Sequence, residues 1–440
     1  MAADTSIDER DVSALTCALA KARWRIIPLL AVCYLVAYMD RTNISFAAET
    51  MNRDLHFSPR VYGLGAGLFF LSYALCEIPS NWMMLRFGAR RWLARIMLTW
   101  GLLAGAMMIA HTAWSFYALR LLLGVAEAGF FPGVIFYLAT WFPKKERARA
   151  ISKFYIAFPL SNLVMGAAAG ALLRLNGRMG LSGWQWLFLV EAVPAVLLSF
   201  ALWYALPNGP ASAAWLTDEE RAAVKRANFD PDAPAPDSDI WAGLRNLRVW
   251  LLALMFFCCM AAYYALVFSL PQVLGLLTGW EPAKVGYLIA AMGVAGAAAM
   301  LAVAVFSDRT KRRVRYALPA IAVMGAMVLA AGMHLAGWGE AMGLLGVLVV
   351  YYAIQGPLQA LMSEVVEGPA RAVAIATVNM FAIFGGFVGP YWMGWMRERA
   401  GQLWAGDCGA GWSVCAGVRV SVGVQRGGAA ARCASVRGRR

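Results

Sequence analysis

The sequence predicts an all-α membrane protein whose helices form two bundles, and three observations lead to this fold class. The chain is 61% hydrophobic and only 15% charged, whereas about a quarter of the residues in a soluble domain are charged. Apolar runs such as Trp24–Phe46 and Leu344–Met362 are long enough to cross a hydrocarbon core about 30 Å thick. Backbone amides in lipid must be satisfied within their own segment, so these runs should be helices. One polar stretch, Pro207–Arg248, separates them into two sets.

The apolar runs divide the chain into five regions. We expect a cytoplasmic N-terminus at 1–23, a six-helix bundle at 24–206, a cytoplasmic linker at 207–248, a second bundle at 249–396 and a tail at 397–440. The predicted spans are 24–48, 62–84, 93–111, 114–141, 148–173, 185–206, 249–276, 284–306, 315–336, 341–363 and 372–396.

Basic residues concentrate in alternate loops. Clusters of Lys and Arg follow spans 2, 4 and 8, whereas only His111 lies between spans 3 and 4. Because cytoplasmic loops collect Lys and Arg, we expect the even-numbered loops and the N-terminus to be cytoplasmic. The net charge of +14 has the same cause, so lipid rather than nucleic acid is the expected partner.

The two halves carry a sequence repeat. A shift of 223 positions places span 2 on span 8, with Pro59 on Pro282 and Gly63 on Gly286. Arg86 and Arg90 fall on arginines of the second half in the same way. Two halves repeated in one orientation are typical of a transporter whose site lies between them, near the membrane midplane.

The loops after spans 2 and 8 share a basic pattern. Ser307–Arg313 resembles the loop signature of the major facilitator superfamily, in which an acidic residue precedes a basic cluster. The first-half copy, Leu85–Arg91, has Leu85 where that family usually has Asp. The gating residues that the resemblance implies are Arg86, Gly88, Arg90, Asp308, Arg309 and Arg313.

Ionisable residues inside spans are costly, and each one is by default a candidate for function. Six such residues lie in the first half, and the interiors of spans 7, 8, 10 and 11 contain none. These residues are Asp40, Arg41, Glu77, Arg120, Glu127 and Glu191. The alternative for each is a structural ion pair or a helix-packing contact, and we favour a structural role for Glu77 and Glu191.

These charges suit the binding of an anion together with a proton. Arg41 or Arg120 is the expected anchor, because a guanidinium grips a carboxylate with two parallel hydrogen bonds. Asp40 and Glu127 are the expected proton carriers. Neutral polar groups of the second half are expected to bind substrate hydroxyls, and they include Gln272, Gln355 and Asn379.

Longer motifs resemble one family of transporters. Tyr38–Ala47 and Arg120–Gly133 are similar to the span-1 and span-4 signatures of the anion:cation symporter family within the major facilitator superfamily. The resemblance covers roughly residues 23–396 and is nearest to bacterial tartrate and phthalate transporters. It implies a major facilitator fold of two six-helix bundles in the bacterial inner membrane. It also implies proton symport of a small carboxylate, such as a tartrate-like dicarboxylate or another sugar or aromatic acid.

The resemblance also implies roles for further residues and partners. The tyrosine of span 2 and the asparagine of span 11 in that family fall on Tyr73 and Asn379, and Tyr38 belongs to its span-1 signature. The expected partner is a small organic anion, with the proton as coupling ion, no cofactor, no metal and no catalysis. We expect a monomer.

The C-terminal tail departs from that family. From about Gly401 the chain is rich in Gly, Arg, Cys and Ser, and it has no apolar run long enough for a twelfth span. We expect this tail to result from a frameshift. Alternative functions are therefore a truncated, non-transporting remnant or membrane sensor, and a major facilitator exporter.

Overall fold

The fold consists of helices joined by short loops. A computed structural model describes residues 9–228, 245–310, 319–327, 338–365 and 371–400, and no β-strand occurs within these ranges. Its helices, in chain order, are α1 (Glu9–Arg25), α2 (Ile27–Leu55), α3 (Pro59–Phe87), α4 (Ala89–Ala106), α5 (Ala113–Glu127), α6 (Phe130–Trp141), α7 (Lys144–Tyr155), α8 (Ala157–Leu172), α9 (Gly183–Ala205), α10 (Asp218–Asn228), α11 (Leu247–Thr278), α12 (Pro282–Thr310), α13 (319–327), α14 (Trp338–Val365) and α15 (Arg371–Ala400).

Ten helical segments in the described part of the chain are long and apolar enough to cross a membrane. They correspond to ten of the eleven predicted spans, which confirms the prediction of an all-α membrane protein. The ninth predicted span, 315–336, is described only over helix α13. The predicted tail lies outside the described residues from position 401 onward.

The predicted fourth span is two helices rather than one. α5 ends at Glu127 and α6 begins at Phe130, because Gly129 adopts a φ of +84° that favours glycine. Ser80 Oγ donates a hydrogen bond to the Ala128 carbonyl at 2.5 Å, so the break leaves this carbonyl satisfied. The break places the carboxylate of Glu127 at the last residue of a helix inside the membrane.

The N-terminal region and part of the linker pack together on one side of the bundle. Lys21 Nζ donates to both carboxylate oxygens of Glu220 on α10, at 2.7 and 2.9 Å. Trp215 stacks on Trp141 with ring centroids 5.2 Å apart, and Arg25 lies 5.1 Å from the Trp215 ring. We call this side the N-terminal face. The linker thus contains a docked helix, and residues 229–244 lie outside the described ranges.

The two halves meet where glycines allow backbones to approach. A Cβ on Gly286 of α12 would lie 2.5 Å from the carbonyl oxygen of Gly166 on α8. A Cβ on Gly63 of α3 would lie 2.4 Å from the carbonyl oxygen of Pro390 on α15. Gly63 and Gly286 are partners in the 223-residue repeat, and α3 and α12 both begin at its prolines. The repeat therefore marks equivalent contacts on the two sides of the molecule.

Candidate functional site

Two ionisable residues from α2 and α5 form an ion pair inside the first bundle. Arg41 Nη2 lies 2.6 Å from Glu127 Oε1, and Arg41 Nε donates to the same oxygen at 2.7 Å. The side chain of Glu127 is fully buried and that of Arg41 is 10% exposed. Glu127 Oε2 has no hydrogen-bond partner among the described residues. Because α5 ends here with its negative pole, the cation of Arg41 offsets both the carboxylate and the helix terminus.

Aromatic rings surround the guanidinium of Arg41. Its Cζ lies 4.9 Å from the Tyr73 ring centroid, 5.2 Å from Tyr38 and 5.7 Å from Phe69. Tyr264, on α11 of the second half, faces Arg41 from across the interface. Rings at these distances stabilise a cation, and the three tyrosines add hydroxyl groups. Arg41 therefore lies in an aromatic and polar setting contributed by both halves.

Arg120 is fixed to the backbone of α3. Its Nε donates to the carbonyl of Gly65 and its Nη2 to the carbonyl of Ala66, both at 3.1 Å. Its Cζ lies 4.9 Å from the Phe69 ring, and the residue is 1% exposed. Arg120 and Glu127 are both on α5, but Glu127 pairs with Arg41 instead. The structure thus places Arg120 in the packing of α3 against α5.

Asp40 is held by hydrogen bonds from two neighbours. Trp100 Nε1, on α4, donates to Oδ2 at 2.7 Å, and Asn43 Nδ2 donates to Oδ1 at 3.0 Å. The charge of Arg120 also acts on this carboxyl, as does that of Arg41. Asp40 is 4% exposed. Each of the two expected proton carriers is therefore matched with an arginine, Glu127 by direct contact and Asp40 over a longer distance.

The predicted polar residues of the second half have different partners. Gln272 accepts a hydrogen bond from Arg397 Nη1 at 3.0 Å, on α15. Asn379 Nδ2 donates to Glu77 Oε1 at 2.9 Å, which links α15 to α3. Gln355 is buried on α14, one turn after Tyr351. Gln272 and Asn379 thus form contacts between helices, and the charge of Arg41 acts on Glu77, the partner of Asn379.

The predicted gating loop of the first half is a tight turn between α3 and α4. Gly88 has a φ of +85°, and a Cβ there would lie 2.7 Å from Asn208 Oδ1. The same oxygen accepts a hydrogen bond from the Arg90 backbone N–H at 3.2 Å, and Arg86 is exposed. In the second-half copy Asp308 and Arg309 end α12, and Arg313 lies outside the described residues.

A cluster of tyrosines lines the interface between the halves beside Arg41. Tyr263 stacks on Tyr351 with ring centroids 4.0 Å apart, and Tyr352 accepts a hydrogen bond from Asn162 Nδ2 of the first half at 2.7 Å. The Tyr263 hydroxyl has no partner in the described part of the chain. An unpartnered hydroxyl at a buried interface is available to a polar ligand.

Two contributors to the site were not assigned from the sequence. Trp100 was not assigned to the site. A buried indole N–H needs a hydrogen-bond acceptor, so a tryptophan inside a span indicates a polar partner nearby. The sequence gives no reason to place Tyr264 beside Arg41, because its position along the chain does not reveal which residues it meets across the interface. Across the described ranges, no three His, Cys, Asp or Glu side chains cluster in a way that could hold a metal ion.

The chain is similar to known transporters along most of its length. The family model described as Major Facilitator Superfamily matches residues 30–401. A protein of Agrobacterium vitis named "Putative tartrate transporter" is 42% identical over 400 residues, covering 88% of this chain and 87% of that protein. The "Quinolone resistance transporter" of Acinetobacter baumannii is 35% identical over 391 residues, covering 87% of this chain and 89% of its own.

A solved structure shares the architecture. The inward open conformation of the xylose transporter XylE from E. coli matches with a TM-score of 0.73, covering 92% of this chain and 96% of that one. Its sequence is 15% identical, so the likeness shows a common fold and nothing about substrate.

Proposed function

Because this chain belongs to the major facilitator superfamily, we propose that it is a proton-coupled symporter that imports a small organic carboxylate across the bacterial inner membrane. The observation that carries the proposal is the ion pair of Arg41 and Glu127, buried beside aromatic side chains of both halves. The substrate class is a tartrate-like dicarboxylate or another sugar or aromatic acid, as the name of the Agrobacterium vitis relative suggests. The protein would act as a monomer without a cofactor.

Charge balance links the proton to the substrate in this proposal. With Arg41 and Glu127 paired, the pair is neutral and the guanidinium is occupied. When Glu127 takes up a proton, Arg41 carries an uncompensated charge that favours binding of a substrate carboxylate. Conversely, a bound carboxylate displaces Glu127 and favours its protonation. By linkage each ligand strengthens the binding of the other, and one carboxylate group of the substrate replaces the charge of Glu127 beside Arg41.

The remaining residues would position the substrate. Tyr38, Tyr73 and Tyr264 lie around the guanidinium and offer hydroxyl groups at the edge of the second half. Asp40 would hold a second proton. Its protonation would leave the nearby guanidinium of Arg120 without its acidic neighbour. Arg120 itself is held by backbone carbonyls, so Arg41 is the substrate anchor in this proposal.

Transport by the purified full chain in proteoliposomes tests this function. Labelled tartrate, phthalate and a sugar acid are offered with an inwardly directed proton gradient, with and without a protonophore. We expect one of these acids to accumulate against its own gradient and the protonophore to abolish accumulation. Accumulation that persists with the protonophore would contradict proton coupling, and failure to accept any carboxylate would contradict the substrate class.

Two substitutions connect the transport to the site. Arg41→Lys keeps the charge but loses the planar donor pair, so we expect the KM to rise by on the order of tenfold, equivalent to ~1.4 kcal/mol. Asp40→Asn should reduce accumulation driven by the proton gradient. Arg23→Lys is the matched control, because Arg23 pairs with Glu146 at the N-terminal face. An Arg41→Lys variant with the KM of the parent would exclude Arg41 as the anchor.

Orientation follows from the same proposal, with the N-terminal face towards the cytoplasm. Cys17 on α1 is exposed and is not disulfide-bonded. In a background with Cys408, Cys415 and Cys433 changed to Ser, a membrane-impermeant maleimide should label Cys17 in inverted vesicles and not in intact cells. Labelling in intact cells would reverse the proposed orientation.

Export of an aromatic compound is the second candidate function. It is favoured by the identity to the Acinetobacter baumannii relative and by the stacked pair of Tyr263 and Tyr351 at the interface. Inverted vesicles distinguish the two functions. An exporter would accumulate a quinolone in such vesicles when they are energised, whereas the proposed importer would not.

A further inference from the structure

A second buried carboxyl lies close to Asp40 and has no part in the mechanism above. Glu191 lies about two turns into α9 and is 6% exposed. The side-chain amide of Asn43 faces its carboxyl. Neither oxygen of Glu191, however, meets the geometry of a hydrogen bond with any residue that the structure describes. A carboxyl buried in a membrane bundle without a donor is unfavourable in its ionised form.

Asn43 connects this carboxyl to Asp40. Its Nδ2 donates to Asp40 Oδ1 at 3.0 Å, whereas its Oδ1 has no donor within the described ranges. An asparagine amide has one donor end and one acceptor end. The acceptor end of Asn43 and the ionised carboxyl of Glu191 are therefore two hydrogen-bond acceptors without a donor. A single proton on Glu191 would satisfy both.

We propose that Glu191 is a positioning residue for Asp40: it carries a proton, donates it in a hydrogen bond to Asn43 Oδ1, and thereby fixes the amide with Nδ2 towards Asp40. The inference rests on the proposed role of Asp40 as a proton site. In this series of contacts, Glu191 orients Asn43, and Asn43 and Trp100 each donate a hydrogen bond to one oxygen of Asp40.

The surroundings of Glu191 contain one other titratable group. α2 presents Asp40, whose charge reaches Glu191 and opposes a second negative charge there. Arg41 and Arg120 act on Asp40. α4 packs here through its last two turns, where Gly105 lies against Ala192, and that part of α4 has no titratable side chain. α8 has none along its length. No described cation therefore stands between the two acids.

Replacement of Glu191 by a neutral donor or by an apolar side chain separates positioning from packing. Glu191→Gln retains an N–H that can donate to Asn43 Oδ1, whereas Glu191→Met fills the space without a donor. We expect uptake by Glu191→Gln to keep the parent's half-maximal pH. In Glu191→Met the amide is released and Asp40 loses a donor that stabilises its ionised form. Half-maximal uptake should then move upward by about one pH unit, a tenfold change in proton concentration.

An infrared measurement tests the protonation without transport. The spectrum of the purified parent at neutral pH, minus that of Glu191→Gln, should contain the carbonyl stretch of a protonated carboxylic acid. A carboxylate band in its place would overturn the inference. Two results of the uptake assay would do the same: a half-maximal pH of Glu191→Gln shifted as far as that of Glu191→Met, or a Glu191→Met variant with the parent's pH profile. If the parent transports no carboxylate, the proposed function fails, and the infrared difference still decides the protonation of Glu191.

Discussion

Arg41 and Glu127 meet through a single carboxylate oxygen. Both Nε and Nη2 of Arg41 point at Oε1, at 2.7 and 2.6 Å, while Oε2 has no partner in the described part of the chain. Two parallel hydrogen bonds to two oxygens would be the stronger arrangement. The pair is thus close and buried but incompletely matched, which suits the opening of this contact in the transport cycle that we propose.

Glu127→Gln should separate substrate binding from proton coupling. The amide cannot take up a proton, and it leaves the charge of Arg41 uncompensated, so binding of a carboxylate is expected to be retained or strengthened. Accumulation driven by a proton gradient should fall by about 5- to 150-fold, because a coupling free energy of roughly 1–3 kcal/mol is removed. Counterflow of labelled substrate, which needs no net proton movement, should continue.

The comparison of these two assays in one preparation of proteoliposomes checks the prediction. Glu146→Gln is the matched control, since Glu146 pairs with Arg23 and Arg149 at the N-terminal face. The prediction is wrong if Glu127→Gln accumulates substrate as the parent does, or if counterflow is lost together with accumulation in a folded variant.

The sequence identified the ionisable residues of the candidate site but not their partners. Asp40, Arg41, Arg120 and Glu127 could be found because charges are rare in lipid-embedded helices. The predicted fourth span, 114–141, runs through Arg120 and Glu127 without a break. The break at Gly129 and the contact of Arg120 with α3 depend on packing between helices. The spacing of residues along the sequence therefore could not predict the direct ion pair of Arg41 with Glu127.

Arg120 should contribute to stability more than to substrate affinity. It is 1% exposed and donates to two backbone carbonyls of α3. Lysine cannot reach both carbonyls with the same geometry, so Arg120→Lys is expected to lower the free energy of unfolding by roughly 2–4 kcal/mol. Thermal unfolding in detergent measures the loss.

The exposed Arg174 offers the matched substitution, Arg174→Lys, which should unfold at the parent's temperature. Equal unfolding temperatures for Arg120→Lys and the parent, combined with a large increase in KM, would instead assign Arg120 to substrate binding, as the sequence alone allowed.

Much of the fold followed from apolar run length, because the bilayer imposes one thickness on every span. The helix breaks were missed for a different reason. The residues around Gly129 are apolar on both sides, and hydropathy does not distinguish a kinked helix from a straight one. The linker was predicted only as a polar stretch between the bundles, yet α10 docks on α1 through Lys21 and Glu220, a contact between segments 199 residues apart.

The glycine contact between α8 and α12 should control the movement of the two halves. A Cβ on Gly166 would lie 2.4 Å from the carbonyl oxygen of Gly286, which is backbone and cannot rotate away. Gly166→Ala must therefore separate the helices, at a cost of roughly 1–3 kcal/mol. We expect a lower unfolding temperature and a lower maximal transport rate with little change in KM.

Gly209→Ala is the control for this substitution, because a Cβ there meets nothing within 4 Å and the backbone is extended. If Gly166→Ala kept both the unfolding temperature and the transport rate of the parent, the two helices would not be in the tight contact described here.

The contact of Lys21 with Glu220 should hold α1 on α10 at neutral pH and release it in acid. Burial alone raises the pKa of Glu220, but the hydrogen bonds from Lys21 Nζ and the Thr217 N–H outweigh it and leave the pKa below its usual value. A lowered folded-state pKa stabilises the contact above the usual value of about 4.3, and this stability is lost as the pH falls through the folded value. The protection of the α1 amides against hydrogen exchange, measured relative to the intrinsic exchange rate at each pH, should therefore be high near neutrality and fall below about pH 4.

Lys21→Met should have low protection even at neutral pH, whereas Lys225→Met, at an exposed position of α10, should behave like the parent. Slow exchange in Lys21→Met would show that the aromatic contacts of Trp215 hold the helix without the ion pair.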